Sequence, residues 1–229
     1  FIDNAAGVDC SDHEVNIKIL LDEIVANGDL TVKQRNQFLA DMTESVAELV
    51  LQNNYRQTFA ISVAQAEVVS RTNEYRRFIN HLETLGKLNR ELEFLPSDDE
   101  IVERIGKGKA LTRPELSVLI SYAKVQLKEV FFNSDIAEDA YMSEIIKTAF
   151  PPAIAEKYPE HMANHRLKKE IVGTQIANDI VNNLGITSVY RLAETMGASL
   201  TDIAKAYVIS RDVFRFEEFQ NYIRSLDNC

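Results

Sequence analysis

The residues of this chain whose types and spacing could do chemistry lie in one short stretch, Asn4-Ala-Ala-Gly-Val-Asp-Cys-Ser-Asp-His-Glu14. Asn4 carries donors and an acceptor on one carboxamide, which suits it to pair with another amide. Gly7 follows two alanines and can take φ > 0, so the backbone there can approach a ligand closely. Ser11 and Glu14 have the spacing of a capping box, in which the Ser11 oxygen accepts the Glu14 backbone N–H and the Glu14 side chain reaches back. So capped, Ser11 keeps its own hydrogen for donation to a carboxylate at the positive end of a helix. Phe1 and Ile2 read as the end of a strand. The stretch therefore reads as strand, tight turn and helix N-terminus, the junction at which open α/β sheets bind ligands. Each residue also has a plainer job: an Asn after a strand commonly bonds its own backbone, any strand-to-helix connection can end in a capping box, and Asp12 and Glu14 already offset the helix dipole.

Other chemistries find less support. His13-Glu14 begins a zinc-binding His-Glu-x-x-His, but Ile17 stands where the second histidine is required. His81, His161 and His165 have no Cys or carboxylate at ligand spacing and read as solvated surface. Gly106-Lys-Gly-Lys109 lacks both the order of a phosphate loop and a strand before it. Neither Gly-x-Ser-x-Gly nor Gly-x-Gly-x-x-Gly occurs, so no hydrolase nucleophile and no pyrophosphate-binding turn is expected here. No catalytic residue and no metal ligand is assigned to these 229 residues.

Composition narrows the class. With 45% apolar residues the chain can bury a sizeable core, as one domain or two small ones. A formal charge of −10 disfavours nonspecific attraction to nucleic acid or anionic membranes. No apolar run approaches the ~20 residues of a membrane span. Cys10 and Cys229 sit at opposite ends without metal-like spacing, which suits a reducing cytoplasm. The chain starts at Phe1, inside what reads as a strand, and a piece of a longer protein is expected.

The elements that must position the stretch are helices. Apolar residues at helical spacing, with caps and stops, predict helices over 11–27, 31–54, 56–69 and 73–88. Thr31-Val-Lys-Gln34, Ser97-Asp-Asp-Glu100 and Thr112-Arg-Pro-Glu115 are capping boxes. The last opens a helix whose buried face is Leu116, Leu119, Ile120, Ala123, Leu127, Val130 and Phe131. Further helices are predicted over 139–149, 159–185, 187–197, 199–211 and 214–226. Tyr207, Phe214, Phe216, Phe219 and Tyr222 fall near helical spacing and are expected in the core. The short helices of 187–226 have the rhythm of a helix-turn-helix, but basic residues are too sparse there for reading DNA.

The pattern carried by Asn4, Ala5, Ala6, Gly7, Val8, Ser11 and Glu14 resembles the segment of glutamate dehydrogenases that runs from the nicotinamide site to the substrate's side-chain carboxylate. The run from Asn4 to Lys18, with Thr112-Arg-Pro-Glu-Leu-Ser-Val-Leu-Ile-Ser-Tyr-Ala-Lys124, is similar to the very large bacterial NAD-specific members, and the likeness extends over essentially the whole chain. Ala6 stands where the smaller relatives usually have Gly. The resemblance implies that the whole enzyme oxidises L-glutamate with NAD to 2-oxoglutarate and ammonia. Asn4 then contributes to the cofactor site and Gly7, Val8 and Ser11 to the substrate pocket, with the catalytic Lys and Asp upstream and the fragment inactive alone. The expected fold is an all-α C-terminal region carrying a short strand-turn remnant of an α/β nucleotide-binding domain. Residues 1–70 would be the tail of the catalytic body and 71–229 a helical domain for assembly or regulation in a cytoplasmic homo-oligomer. The competing expectation is a stand-alone helical module for protein interaction, without catalysis.

Overall fold

No glycine or proline occurs between Thr43 and Thr84, and the chain uses that freedom to build one continuous 42-residue helix. A computed structural model describes residues 5–226, and every regular element among the described residues is helical. A π-helical turn, Ala5–Asp9, leads directly into α1 (Cys10–Ala26). Next come α2 (Val32–Asp41), the long α3 (Thr43–Thr84), α4 (Asp98–Gly106) and α5 (Arg113–Phe132). A compact run follows: 3₁₀ turn Ile136–Glu138, α6 (Ala140–Ser143), 3₁₀ turn Glu144–Ala149, α7 (Pro152–Lys157) and α8 (Pro159–Ala163). The chain closes with α9 (Lys168–Leu184), α10 (Ser188–Met196), α11 (Leu200–Val213) and α12 (Phe216–Ser225).

The predicted caps fix several boundaries. Thr31 Oγ1 accepts the Gln34 N–H at 3.3 Å, and Gln34 Oε1 accepts the Thr31 N–H at 2.9 Å. Ser97 and Glu100 exchange the same pair of bonds at 3.2 and 2.7 Å, and the Thr112 N–H reaches the Glu115 carboxylate at 2.6 Å. Gly197 stops α10 in the left-handed conformation that a side chain disfavours.

Elsewhere the structure corrects the sequence reading. Helices predicted over 31–54, 56–69 and 73–88 are in fact α2 and α3, with the break at Met42 and none at Asn53-Asn54 or near residue 70. The two asparagines do not end the helix, because their side chains find partners within it and across it. Asn54 Nδ2 donates to the Val50 carbonyl at 2.9 Å and Asn53 Nδ2 to Asp9 at 2.5 Å. The helix predicted over 159–185 is interrupted between α8 and α9, and 139–149 is mostly 3₁₀. The C-terminal aromatic set divides: Tyr207 is buried, whereas Phe214, Phe219 and Tyr222 are exposed, because α12 touches the body mainly through α11. The strand expected at Phe1 and Ile2 lies outside the described residues; the tight turn expected after it is helical from Ala5 onward.

The core forms where α9 lies along α5, with α3 beneath both and α1, α2, α4 and the 3₁₀ turns around them. Gly173 lets α9 and α5 approach, since a Cβ there would lie 3.3 Å from the Phe131 Cβ. A larger side chain must push the two helices apart. Gly173→Leu is therefore expected to lower stability by about 1–3 kcal/mol through overpacking, read as a drop in urea midpoint; an unchanged midpoint would mean that the contact is not tight.

Candidate functional site

The π turn and α1 carry the chemistry-bearing stretch as one helical run with two faces. Gly7, Val8 and Ser11, spaced i, i+1 and i+4, fall on the outer face, and all three are exposed, Val8 by 55%. Asn4 lies outside the described residues. Ser11 is not the N-cap that its spacing with Glu14 predicts: the helix has already begun, the residue before α1 is Asp9 in right-handed helical conformation, and Glu14 pairs with Lys18 one turn on. The Ser11 hydroxyl forms no hydrogen bond with the described residues.

The inner face is anchored. Ile17, Leu20, Leu21 and Ile24 enter the core, and three polar contacts fix the register above them. The Asp9 carboxylate accepts from Asn53 of α3. His13 Nδ1 lies 2.9 Å from the Ala149 carbonyl, an acceptor only, so Nδ1 carries the proton and donates. The third contact is His165, which is 3% exposed rather than on the surface as the sequence suggested. Its Nδ1 accepts the Leu167 N–H at 3.0 Å, which leaves Nε2 to donate to the Asn16 carbonyl at 3.1 Å. This histidine is the physical reason for the break between α8 and α9, because it uses a backbone donor that would otherwise enter the helix. His81 and His161 are half-buried too, His81 against Tyr190 and His161 beside Asp29.

One group went unread in the sequence. Lys124 of α5 is 6% exposed, and its ammonium donates to Gln57 Oε1 of α3 at 2.7 Å. Burial, with Lys128 one turn away, lowers its pKa to about 8, while Asp9 acts in the opposite direction. The signal was present: Lys124 stands four residues after Ile120 and three before Leu127, inside the apolar stripe.

A cleft of about 1130 Å³ opens beside the run, between Asp9, Asp12 and His13 on one side and Asn178, Asn182 and Arg211 on the other. Gly7, Val8 and Ser11 do not line it. They lie on the exposed outer face instead. Among the described residues no three His, Cys, Asp or Glu side chains gather in a metal-binding group, and no helix is long and apolar enough to cross a membrane.

The described residues form an all-helical body whose first helical run leaves Gly7, Val8 and Ser11 exposed. Comparison with known proteins gives the family: residues 108–229, just over half of the chain, match the family described as glutamate dehydrogenase, C-terminal, and the chain belongs to it. Residues 1–64 match the bacterial NAD-glutamate dehydrogenase catalytic domain. The chain is 57% identical over 227 residues to an NAD-specific glutamate dehydrogenase of Pseudomonas aeruginosa, covering 99% of this chain. It is 54% identical to that of Halomonas elongata and 38% to that of Mycobacterium tuberculosis, over 100% and 98% of its length. It spans 14% of the length of each of these relatives.

His165 makes the anchoring pH-dependent with a definite sign. Burial holds its pKa below the ordinary 6.5, so the unfolded chain binds more protons than the folded one as the solution is acidified. Its contribution to stability is complete above pH 6.5 and is lost as the pH falls below that. His165→Asn is expected to cost about 1–3 kcal/mol at pH 7.5 and to flatten the loss of stability between pH 7 and 5, measured by urea unfolding at each pH. A variant whose stability falls in parallel with the parent over that range would assign the pH dependence to other groups.

Proposed function

We propose that this chain is the part of an NAD-dependent glutamate dehydrogenase that lends one edge to the active site and docks that edge onto a helical body. The supporting observation is the outer face of the first helical run, where Gly7, Val8 and the unengaged Ser11 hydroxyl stand in line while the inner face is anchored. Relief of Ser11 from capping removes the chief competitor for its hydroxyl. In the proposed role Ser11 Oγ–H donates to the side-chain carboxylate of L-glutamate, Gly7 leaves the backbone open to its close approach, and Val8 lines the same pocket. Asn4 presents its carboxamide to the carboxamide of the nicotinamide ring. NAD supplies the hydride acceptor for the α-carbon of glutamate, and hydrolysis of the resulting imine gives 2-oxoglutarate and ammonia. With no pyrophosphate-binding glycine turn in the sequence, this chain would hold only the nicotinamide end. The catalytic lysine and aspartate of such a mechanism belong to other parts of the enzyme.

The organisation that goes with this reading divides the chain near residue 70 into the tail of the catalytic body and a helical region serving assembly or regulation in a cytoplasmic homo-oligomer. The two family matches, ending at 64 and resuming at 108, support a change of role between them.

Two outcomes test the proposal. The chain expressed alone is expected to show no glutamate-dependent reduction of NAD, and turnover by it would put the catalytic groups here instead. In the full-length enzyme Ser11→Ala is expected to raise KM for glutamate and lower kcat/KM by about 1–3 kcal/mol, the cost of leaving a charged acceptor without its donor. Steady-state kinetics indistinguishable from the parent would remove Ser11 from the substrate site.

A further inference from the structure

The buried charge of Lys124 has no part in the proposed contacts with substrate or cofactor. An aliphatic side chain would fill the same place on α5 without desolvating an ammonium, so packing alone does not account for a lysine there. What the lysine adds is a directed contact among three elements. Its Nζ donates to Gln57 on α3 at 2.7 Å, and Gln57 stands one turn beyond Asn53, whose amide donates to Asp9 at 2.5 Å. Asp9 in turn attracts the ammonium. One patch of α3 thus receives both the π turn that ends at Asp9 and the centre of α5, with the two opposite charges facing each other across it. Asp9 lies one residue beyond Val8 and two before Ser11, so whatever holds Asp9 sets where the outer face points.

We propose that Lys124 is a positioning residue for the glutamate-binding edge: by holding Gln57 on α3, one turn from the Asn53 that holds Asp9, it ties the turn carrying Gly7, Val8 and Ser11 to the C-terminal helical region. This rests on the assignment of that edge to the substrate site. The groups facing Lys124 are Gln57 from α3 and Asp9 from the π turn, with Lys128 on its own helix. Burial and then Lys128 lower the pKa while Asp9 raises it, so the ammonium keeps its proton at neutral pH and loses it as the solution passes about pH 8. Above that pH Asp9 loses its counter-charge, and the hold of α5 on the patch of α3 that receives the turn weakens. The enzyme should therefore bind glutamate less well at alkaline pH for a reason located away from the reacting atoms.

The test is steady-state kinetics of the full-length enzyme from pH 6.5 to 9.5, with thermal unfolding of each variant in parallel. Lys124→Met, which keeps the stem and drops the charge, is expected to raise KM for glutamate about tenfold with a smaller change in kcat, and to abolish the alkaline rise in KM. Gln57→Glu is nearly isosteric and places a carboxylate beside the ammonium. It is expected to move the alkaline break to higher pH, and it stands by itself should Lys124→Met fail to fold. A purely structural lysine would lower the melting temperature and leave KM and its pH profile where they were, and that result would overturn the proposal. So would a break that Gln57→Glu does not move. The companion variant Ser11→Ala separates the two layers: if it raises KM while Lys124→Met and Gln57→Glu do nothing, the positioning role fails and the substrate edge stands. If Ser11→Ala is silent as well, the substrate edge itself is wrong.

Discussion

A single uninterrupted backbone ladder, the 42 residues of α3, is the constraint from which the rest of the arrangement follows. At 1.5 Å per residue it is about 63 Å long, well beyond what one core of this size can cover. Its burial is accordingly uneven. From Ala60 to Leu82 buried residues recur at helical spacing through Ile61, Val68, Tyr75 and Phe78, while before Ala60 the helix buries only Val50. The stretch from Ala60 onward is a core helix, and the stretch before it is a more exposed arm. The π turn, α1, α2, α4, α5 and α9 all contact α3, so the position of the chemistry-bearing stretch relative to the C-terminal helices is set along this one rod.

Apolar contacts alone would not fix rotation and register along such a rod, because a helix face of Leu, Ile and Val slides with little penalty over another. Directional groups do that work at three junctions. His165 binds Asn16 with one nitrogen and Leu167 with the other, and so joins α1 to the α8–α9 corner. Glu74, nearly buried, accepts from Arg71 at 2.8 Å and from the Thr187 hydroxyl, joining α3 to the start of α10. Lys124 joins α5 to α3 through Gln57. Each such group loses hydration on folding, and removing one partner leaves the other stranded in a poor solvent. Ordered, paired polar groups at helix crossings thereby select one packing among several of similar apolar area.

The sequence told the fold class plainly and the joints poorly, for one reason. Caps are local: Thr31 with Gln34, Ser97 with Glu100 and Thr112 with Glu115 lie within one turn, and the structure forms each. Breaks and continuities depend on distant partners. Asn53 looked like a stop and is a helical residue, because Asp9, 44 positions earlier, takes its amide. His165 looked like surface inside a helix and is a buried break, because Asn16, 149 positions away, takes its proton. The candidate site follows the same rule. Gly7, Val8 and Ser11 were legible as residues of one short motif. That they share an outer face, away from the cleft beside the run, required knowing that the turn before α1 is helical. Lys124 was hidden because charge is ordinarily read as exposure, although its position in the apolar stripe was in plain view.

The earlier start of the helical run also changes the physics available to Ser11. As an N-cap it would have spent its oxygen on a backbone N–H and sat where the helix dipole is most positive. With the described run helical from Ala5, the unsatisfied backbone donors and the positive end of the dipole move nearly two turns towards the N-terminus, to the neighbourhood of Gly7 or before it. A carboxylate at Ser11 would then draw on the hydroxyl as donor and very little on the helix end. Asp9 and Asp12, one on each side, oppose it unless their charge is offset. Asn53 and the ammonium of Lys124 do that for Asp9, which is why a buried cation on a helix more than a hundred residues away bears on whether this face can receive an anion.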